Sequence, residues 1–162
     1  MSFTIETYQD HFRTGIAELI VPIQRQEFGI DITYDDQPDL TDIAGFYQVG
    51  CGDFWLAVAG GEVVGSVALR DIGDGAAALR KMFVAADWRG AEHGVARALL
   101  NALIDHAKRS GTKTIWLGTT AKFLAAHRFY EKNGFDEVTE GTLPPSFPRM
   151  KVDTKFYRRT LA

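Results

Sequence analysis

A strand, a glycine-containing turn and an amphipathic helix follow one another between residues 79 and 100, in the stretch LRKMFVAADWRGAEHGVARALL. The strand-like run 82–84 enters a polar turn, and the Gly-Val-Ala step at 94–96 opens the helix. Unpaired N–H groups of a first helical turn point outward, and the helix dipole favours negative charge there. Small residues such as Gly94 and Ala96 let an anion approach the main chain closely. The stretch therefore predicts an anion cradle that suits a pyrophosphate.

Taken alone, this stretch also fits a tight connection that binds nothing. Two commoner phosphate-binding motifs are absent from the sequence. There is no GxxxxGK[ST], so a P-loop is excluded, and no GxGxxG follows a first strand, which argues against a dinucleotide-binding fold.

A second segment, AAHRFYEKNGF at residues 125–135, adds specificity. Together the two segments resemble the GCN5-related N-acetyltransferase (GNAT) superfamily, whose cofactor site carries [QR]xxGx[GA] and, one helix and one strand later, A…YEK.GF. The first motif is matched by Arg89, Gly94 and Ala96. The second is matched by Ala126, Tyr130, Glu131, Lys132, Gly134 and Phe135. The resemblance extends in order over essentially all 162 residues.

This resemblance implies one domain over residues 1–162 with an α/β, α+β-like GNAT fold. In that fold about seven strands form a mixed central sheet flanked by about four helices, and two parallel strands splay apart at the cofactor site. The implied co-substrate is acetyl-CoA, without a metal. The implied cofactor-binding residues are Met82, Phe83, Val84, Arg89, Gly90, Glu92, His93, Gly94, Val95, Ala96, Arg97, Phe123, Ala126 and Tyr130.

Tyr130 occupies the family's position for the acid that protonates the departing thiolate. A phenol with a pKa of ~10 can share or donate its proton to a thiolate, whose conjugate acid has a pKa of ~8.5. Backbone N–H groups of Phe83 or Val84 on the splayed edge would polarise the thioester carbonyl in the manner of an oxyanion hole. Taken alone, FYEKNGF fits a core aromatic about as well as a catalytic one.

The sequence departs from the family in three places. The turn from Arg89 to Gly94 is two residues longer than usual, Phe123 stands where an asparagine is frequent, and no carboxylate lies near Leu79 and Arg80, where many members carry a general base. The base therefore stays open. The alternatives are a water chain or one of five side chains: Glu27, Asp31, Asp53, Glu62 and His127.

Charge and cysteine content limit the possible partners. The net charge of −3 argues against nucleic acid or an anionic membrane as partner and mildly favours cationic ligands. Five aspartates cluster between residues 31 and 42, namely Asp31, Asp35, Asp36, Asp39 and Asp42. The single cysteine, Cys51, excludes an internal disulfide, and no apolar run of 18 residues occurs. A cytoplasmic protein is expected, and by family analogy a homodimer is possible.

The pattern predicts the element order β-α-α-β-β-β-α-β-α-β-β. Pro22 should kink or break the first helix, because proline lacks the backbone donor. The second helix is expected at Leu40–Val49, with Thr41 or Asp39 as its cap. The Gly60-Gly61 pair predicts a β-hairpin.

The resemblance implies direct acetyl transfer to the primary amine of a small molecule or amino-acid-like acceptor. The acceptor would be gripped by the acidic and aromatic loop at 29–38 and by the proline-rich connection at 143–150. Three alternatives remain: a non-catalytic acyl-CoA-binding sensor, a peptide or protein N-acetyltransferase, and an enzyme for a different acyl donor.

Overall fold

Seven strands form a single mixed sheet in the computed structural model, which describes residues 2–120 and 124–161. Along the sheet the strands lie in the order β1-β2-β3-β4-β5-β7-β6. Only β4 and β5 pair in parallel among the described strands, and the others pair antiparallel. The strands are β1 (Thr4–Thr7), β2 (Asp53–Ala59), β3 (Glu62–Gly73), β4 (Ala76–Val84), β5 (Thr114–Thr119), β6 (Asp136–Val138) and β7 (Lys155–Thr160).

Helices cover both faces of this sheet. The α-helices are α1 (Arg13–Pro22), α2 (Pro38–Thr41), α3 (Ile43–Tyr47), α4 (Val95–Arg109) and α5 (Leu124–Lys132). Residues alternate along each strand between the two faces, so Phe54 and Leu56 of β2 pack under α1–α3 whereas Trp55 and Ala57 pack under α4. The predicted fold class is confirmed, and the predicted starting residues of α5, Lys122 and Phe123, lie outside the described residues.

Pro22 ends the first helix, as predicted, but the chain does not leave the helical path there. It continues as a π-helical turn at Ile23–Glu27, in which the N–H of Phe28 donates to the carbonyl of Ile23 at 3.0 Å. The wider turn tolerates the missing proline donor and carries the chain towards the 29–38 loop.

The predicted second helix is in fact two short helices, and the predicted cap was wrong. The chain breaks at Asp42, whose carboxylate accepts a hydrogen bond from the N–H of Gly45 at 3.1 Å and so caps α3. Asp39 does not cap a helix, because its carboxylate points inward and accepts the hydroxyl of Tyr47 at 2.6 Å. The Gly60-Gly61 turn joins β2 and β3 as predicted.

The crossover from β4 through α4 to β5 opens a gap in the middle of the sheet. Register between β4 and β5 covers only Ala76, Ala77 and Ala78, which lie opposite residues 114–116. Beyond Ala78 and Trp116 the two parallel strands have no paired residues, so the β4 edge from Leu79 to Val84 has no neighbour in β5. This is the splay that the sequence resemblance implied.

The part of the chain that the structure describes contains neither a membrane-spanning helix nor a candidate metal-binding cluster. Across 2–120 and 124–161 no helix has the length and apolar character that crossing a membrane requires. In the same ranges no group of three or more His, Cys, Asp or Glu side chains could hold a metal ion.

Substitution of Gly52 tests how the end of α3 packs against the sheet. A Cβ at Gly52 would collide with the backbone carbonyl oxygens of Tyr47 and Leu69, the latter at 2.6 Å, and neither can move without distorting α3 or β3. We expect Gly52→Ala to lower the free energy of unfolding by about 3 kcal/mol, measured by urea denaturation. Gly141→Ala is the matched control, because no atom lies within 4 Å of its Cβ. Equal stability of the two variants would contradict this packing.

Candidate active site

A cleft of about 1360 Å³ occupies the gap between β4 and β5. Its walls are the β4 segment Leu79–Phe83, the β5 segment Leu117–Thr119, part of α5 and two loops. Pockets for small ligands usually measure about 300–1,000 Å³, so this cleft has room for two molecules side by side. The position agrees with the rule that ligands bind beyond the carboxyl ends of parallel strands.

Tyr130 of α5 lines this cleft with its side chain almost fully buried. Its ring packs edge-on against Phe135, with centroids 5.7 Å apart, and at a tilt against Tyr157. Its hydroxyl has no hydrogen-bond partner within residues 2–120 and 124–161, whereas the Tyr157 hydroxyl donates to Glu131 at 2.7 Å. Burial raises the pKa of Tyr130, so the phenol keeps its proton at neutral pH and can donate it into the cleft.

A β-bulge distorts β4 where it faces the cleft. Ser66 and Ala68 of β3 lie opposite Phe83 and Arg80, so one residue of β3 faces two of β4, Lys81 and Met82. Lys81 has a φ of 54°, a left-handed conformation that is unusual for a non-glycine residue. The buried hydroxyl of Ser66 donates to the carbonyl of Lys81 at 2.7 Å and holds the bulge in place.

The Lys81 side chain enters a buried polar network on the α1–α3 side of the cleft. Its Nζ lies 3.4 Å from Oδ2 of Asp39 and donates to Oε1 of Gln37 at 2.7 Å. Asp39 also accepts the hydroxyl of Tyr47, and Gln24 and Gln37 pair through their amides at 2.9 and 2.8 Å. The sequence analysis missed this network, because no spacing pattern connects residues 24, 37, 39, 47 and 81; a lysine inside a largely apolar strand was a weak signal.

Burial shifts the pKa values of Lys81 and Tyr47 in this network. Desolvation lowers the pKa of Lys81, and the neighbouring Asp39 charge partly opposes that effect. Desolvation raises the pKa of Tyr47 well above its ordinary value, so the phenol stays a donor to Asp39. The network therefore ties α2 and α3 to the bulge of β4.

The first turn of α4 presents free backbone donors, as the sequence predicted. Gly94 is the N-cap with a φ of 71°, and no side chain caps the helix. The N–H groups of Val95, Ala96 and Arg97 donate to no backbone carbonyl among the described residues. They point out of the helix end, where an anion is stabilised.

Arg89, expected at the cofactor, is bound to Glu27 of the π-helical turn. Its Nη1 and Nη2 lie 2.7 and 2.9 Å from the two carboxylate oxygens, and its Nε donates to the carbonyl of Val84 at 2.8 Å. Hydrogen bonding to Arg89 lowers the pKa of Glu27. This two-point pair joins the segment after α1 to the turn before α4, and it makes Glu27 a poor proton acceptor.

The predicted cofactor-binding residues that the structure describes fall into two groups. Those that line the cleft are Met82, Phe83, Arg89, Ala126 and Tyr130. Those in the strand end, the turn and the first turn of α4, outside the cleft lining, are Val84, Gly90, Glu92, His93, Gly94, Val95, Ala96 and Arg97. The side chain of Val95 is buried in the core rather than exposed to a ligand. Phe123 lies outside the described residues, so its predicted contact stays a prediction.

The candidate bases are not at the cleft. His127 is buried, and its Nε2 lies 2.8 Å from the carbonyl of Thr120. Asp31 is fully exposed beside Arg25, and none of Glu27, Asp31, Asp53, Glu62 and His127 is among the lining residues. The carboxylates that do line it are Asp36, Asp39 and Asp153. Asp36 accepts the N–H of Thr33 at 3.0 Å, and Asp153 accepts that of Met150 at 3.1 Å.

Both predicted acceptor segments line the cleft. From the 29–38 loop these are Ile30, Ile32, Asp36, Gln37 and Pro38, and from the 143–150 connection they are Phe147, Pro148 and Met150. Of the five clustered aspartates only Asp36 and Asp39 belong to the lining, and both are engaged by neighbouring groups. Of the acidic lining that the loop composition suggested, Asp39 is therefore compensated by Lys81, whereas hydrogen bonding to Thr33 lowers the pKa of Asp36 and keeps it charged.

Comparison of the sequence with protein families finds a match over residues 16–135 to a model described as the acetyltransferase (GNAT) family. N-acetylaspartate synthetase from Danio rerio is 37% identical over 124 residues, which is 74% of this chain and 43% of that protein. The chain thus spans less than half the length of this curated relative.

Solved structures give the same picture of the whole fold. An acetyltransferase of the GNAT family from Staphylococcus aureus Mu50 superposes with a TM-score of 0.93 and 38% identity, over 99% of this chain and 100% of the other. N-acetylglutamate synthase from Neisseria gonorrhoeae, solved with coenzyme A and N-acetyl-glutamate, superposes with a TM-score of 0.75 over 100% of this chain and 36% of the other. At 17% identity the latter likeness shows the fold alone.

Removal of the Lys81 ammonium tests the buried network. Lys81 and Asp39 are both more than nine-tenths buried, so Lys81→Met leaves a carboxylate without its cation, and we expect the free energy of unfolding to fall by about 3 kcal/mol in urea denaturation. Asp39→Asn in the same chain should restore part of this loss, because the uncompensated charge disappears. Lys151→Met is the control, because that lysine is exposed on the same cleft and should change stability by less than about 0.5 kcal/mol. A Lys81→Met variant as stable as this control would contradict the role of the pair.

Proposed function

This chain belongs to the GNAT acetyltransferase family, and on that premise we propose that it transfers the acetyl group of acetyl-CoA to the primary amine of a small, amino-acid-like acceptor. The observation that carries the proposal is the buried Tyr130 at the cleft between β4 and β5, whose hydroxyl has no hydrogen-bond partner within residues 2–120 and 124–161.

The first turn of α4 fits the pyrophosphate of acetyl-CoA. The N–H groups of residues 95–97 are available, and a Cβ at Gly94 would meet no atom within 4 Å, so the main chain can be approached closely. Phosphate contacts are assigned to this backbone and to the turn that carries Gly90, Glu92 and His93, with Arg97 at its edge.

The unpaired edge of β4 fits the amide groups of the pantetheine arm. A chain with alternating donors and acceptors adds to an exposed strand edge as another strand would. Met82, Phe83 and Val84 lie on this edge, and a backbone N–H of Phe83 or Val84 is assigned to the thioester carbonyl. A donor fixed there stabilises the charge that develops on that oxygen.

Tyr130 is assigned as the acid. The acceptor nitrogen attacks the carbonyl carbon, the C–S bond breaks, and the departing sulfur takes the phenolic proton. The proton that the nitrogen loses as the amide forms restores the Tyr130 phenol, which leaves the N-acetyl product, coenzyme A and the enzyme in its starting state. An alkylammonium has a pKa of ~10.4, so it must lose a proton before attack. Each carboxylate that lines the cleft already accepts a hydrogen bond from a neighbouring group. We therefore assign the removal of this proton to water.

The size and lining of the cleft support a small acceptor. Phe147, Pro148 and Met150 stand on its wall opposite the 29–38 loop, and the two segments enclose space beside the β4 bulge. The curated relative named N-acetylaspartate synthetase concerns an acetylated amino acid. A sensor without turnover and a peptide acetyltransferase are the outcomes that the tests below separate from this proposal.

Tyr130→Phe removes the proposed acid and little else. We expect kcat for acetyl-CoA and the best amine of a panel to fall by about 100-fold, as loss of a general acid typically gives. The measurement is release of free coenzyme A across polyamines, amino acids, aminoglycosides and short peptides, with a no-acceptor blank.

Tyr157→Phe is the matched control, because it also deletes a phenol in the same core but one that donates to Glu131. It should change kcat by less than about threefold. An equal loss of kcat in both variants would mean that Tyr130 contributes through packing and not as an acid. Binding of acetyl-CoA without release from any acceptor would instead favour the sensor.

Ala96→Glu distinguishes an effect on coenzyme A binding at α4 from an effect on the stability of that helix. A carboxylate in the first helical turn favours the helix dipole, so Tm should not fall, yet it should repel the pyrophosphate and weaken coenzyme A binding by about tenfold or more in calorimetry. Asn101→Glu, exposed further along α4, adds the same charge and should leave the affinity nearly unchanged. Unchanged affinity in Ala96→Glu would rule out this helix end as the phosphate site.

A further inference from the structure

The Arg80 side chain lines the cleft but forms no ion pair with any residue the structure describes. It stands on β4 one residue before the bulge, next to Lys81. Nη2 of Arg80 lies 3.7 Å from Sδ of Met150, and Cζ lies 5.8 Å from the ring centroid of Phe46. The guanidinium is therefore held between α3 and the 143–150 connection, on the acceptor side of the cleft.

No carboxylate among residues 2–120 and 124–161 forms an ion pair with this cation. The nearby carboxylate of Asp39 is already bound to Lys81 and Tyr47. Asp153 lies on the same cleft and accepts the backbone N–H of Met150; burial raises its pKa, and the charge of Arg80 partly opposes that effect without a direct pair. Arg80 thus presents positive charge to a wall that is otherwise built largely from apolar groups.

A planar guanidinium in such surroundings binds carboxylates preferentially. Its fork donates two parallel hydrogen bonds to one carboxylate, and the weaker hydration of guanidinium makes its desolvation easier than that of an ammonium. Neutral amides and polyamines offer no matching anion. The guanidinium lies near the splayed edge assigned to the thioester, so a ligand that it holds by a carboxylate can bring a nearby amine to the reacting centre.

We propose that Arg80 binds a carboxylate of the acceptor, so that the substrates are amino acids with a free carboxylate rather than polyamines, aminoglycosides or internal lysines of proteins. This inference rests on the proposed acetyl transfer and specifies its acceptor. Arg80 is then a specificity-determining residue, and Phe46 and Met150 orient its guanidinium.

The test compares acids with their amides at constant shape. kcat/KM is measured for L-aspartate against L-asparagine and against the α-amide of L-aspartate, and for β-alanine against β-alaninamide. We expect the protein to prefer at least one acid over its amide by about 10- to 100-fold, the range for a hydrogen-bonded charged group. Arg80→Gln should abolish that preference mainly through KM of the acid, and Arg80→Lys should restore part of it.

Arg70→Gln is the matched control. Arg70 stacks on the same Phe46 ring, with Cζ 4.2 Å from its centroid, but does not line the cleft. It should keep the acid preference, and all three variants should bind coenzyme A as the parent does in calorimetry. A preference that survives Arg80→Gln, or that disappears equally in Arg70→Gln, would overturn the assignment.

The panel of amines also distinguishes failure of the carboxylate subsite from failure of the proposed acetyl transfer. Acetylation of polyamines, aminoglycosides or peptides without an acid preference would overturn the carboxylate subsite and leave the acetyl transfer standing. Release of coenzyme A from no amine at all, despite its binding, would overturn both.

Discussion

Beyond Ala78 and Trp116, β4 parts from β5, and the position of the cleft and of its walls follows from this separation. Two strands that stop pairing leave backbone donors and acceptors exposed in the middle of a sheet, which is costly unless a ligand or water satisfies them. α4 packs on the β1–β4 part of the sheet, whereas α5 packs on β6. The cleft is therefore a built-in feature of the fold and not a surface irregularity.

A second set of contacts shapes the acceptor side of the cleft. The bulge at Lys81 turns the lysine side chain towards α2 and α3, where Asp39, Gln37 and Tyr47 receive it. A buried ion pair contributes little net stability, but it fixes geometry, because either partner alone is costly. Asp39 is engaged in this way, and Arg80, which lines the cleft without an ion pair among the described residues, can meet an acceptor.

The two sides of the cleft are joined by the pair of Glu27 and Arg89. Glu27 ends the π-helical turn that Pro22 begins, and Arg89 lies in the turn before α4. The segment that leads into the acceptor loop is thus attached to the loop that precedes the free N–H groups of α4. Because both side chains are partly exposed, the pair contributes modest stability, and its main effect is on position.

Local sequence patterns predicted the order of elements apart from the division of the second helix into α2 and α3, together with the Gly60-Gly61 hairpin, the open first turn of α4 and the family motifs around Arg89, Gly94 and Tyr130. These features are local, and glycine conformation, helix period and short motifs report them directly. The packing of distant segments, by contrast, brings Asp39 to Lys81 and Arg89 to Glu27, and it turns Arg80 to the cleft without an ion pair among the described residues. Such contacts join residues that are 42 or 62 positions apart, and no local pattern encodes which charges the packing of α1–α3 on β4 brings together.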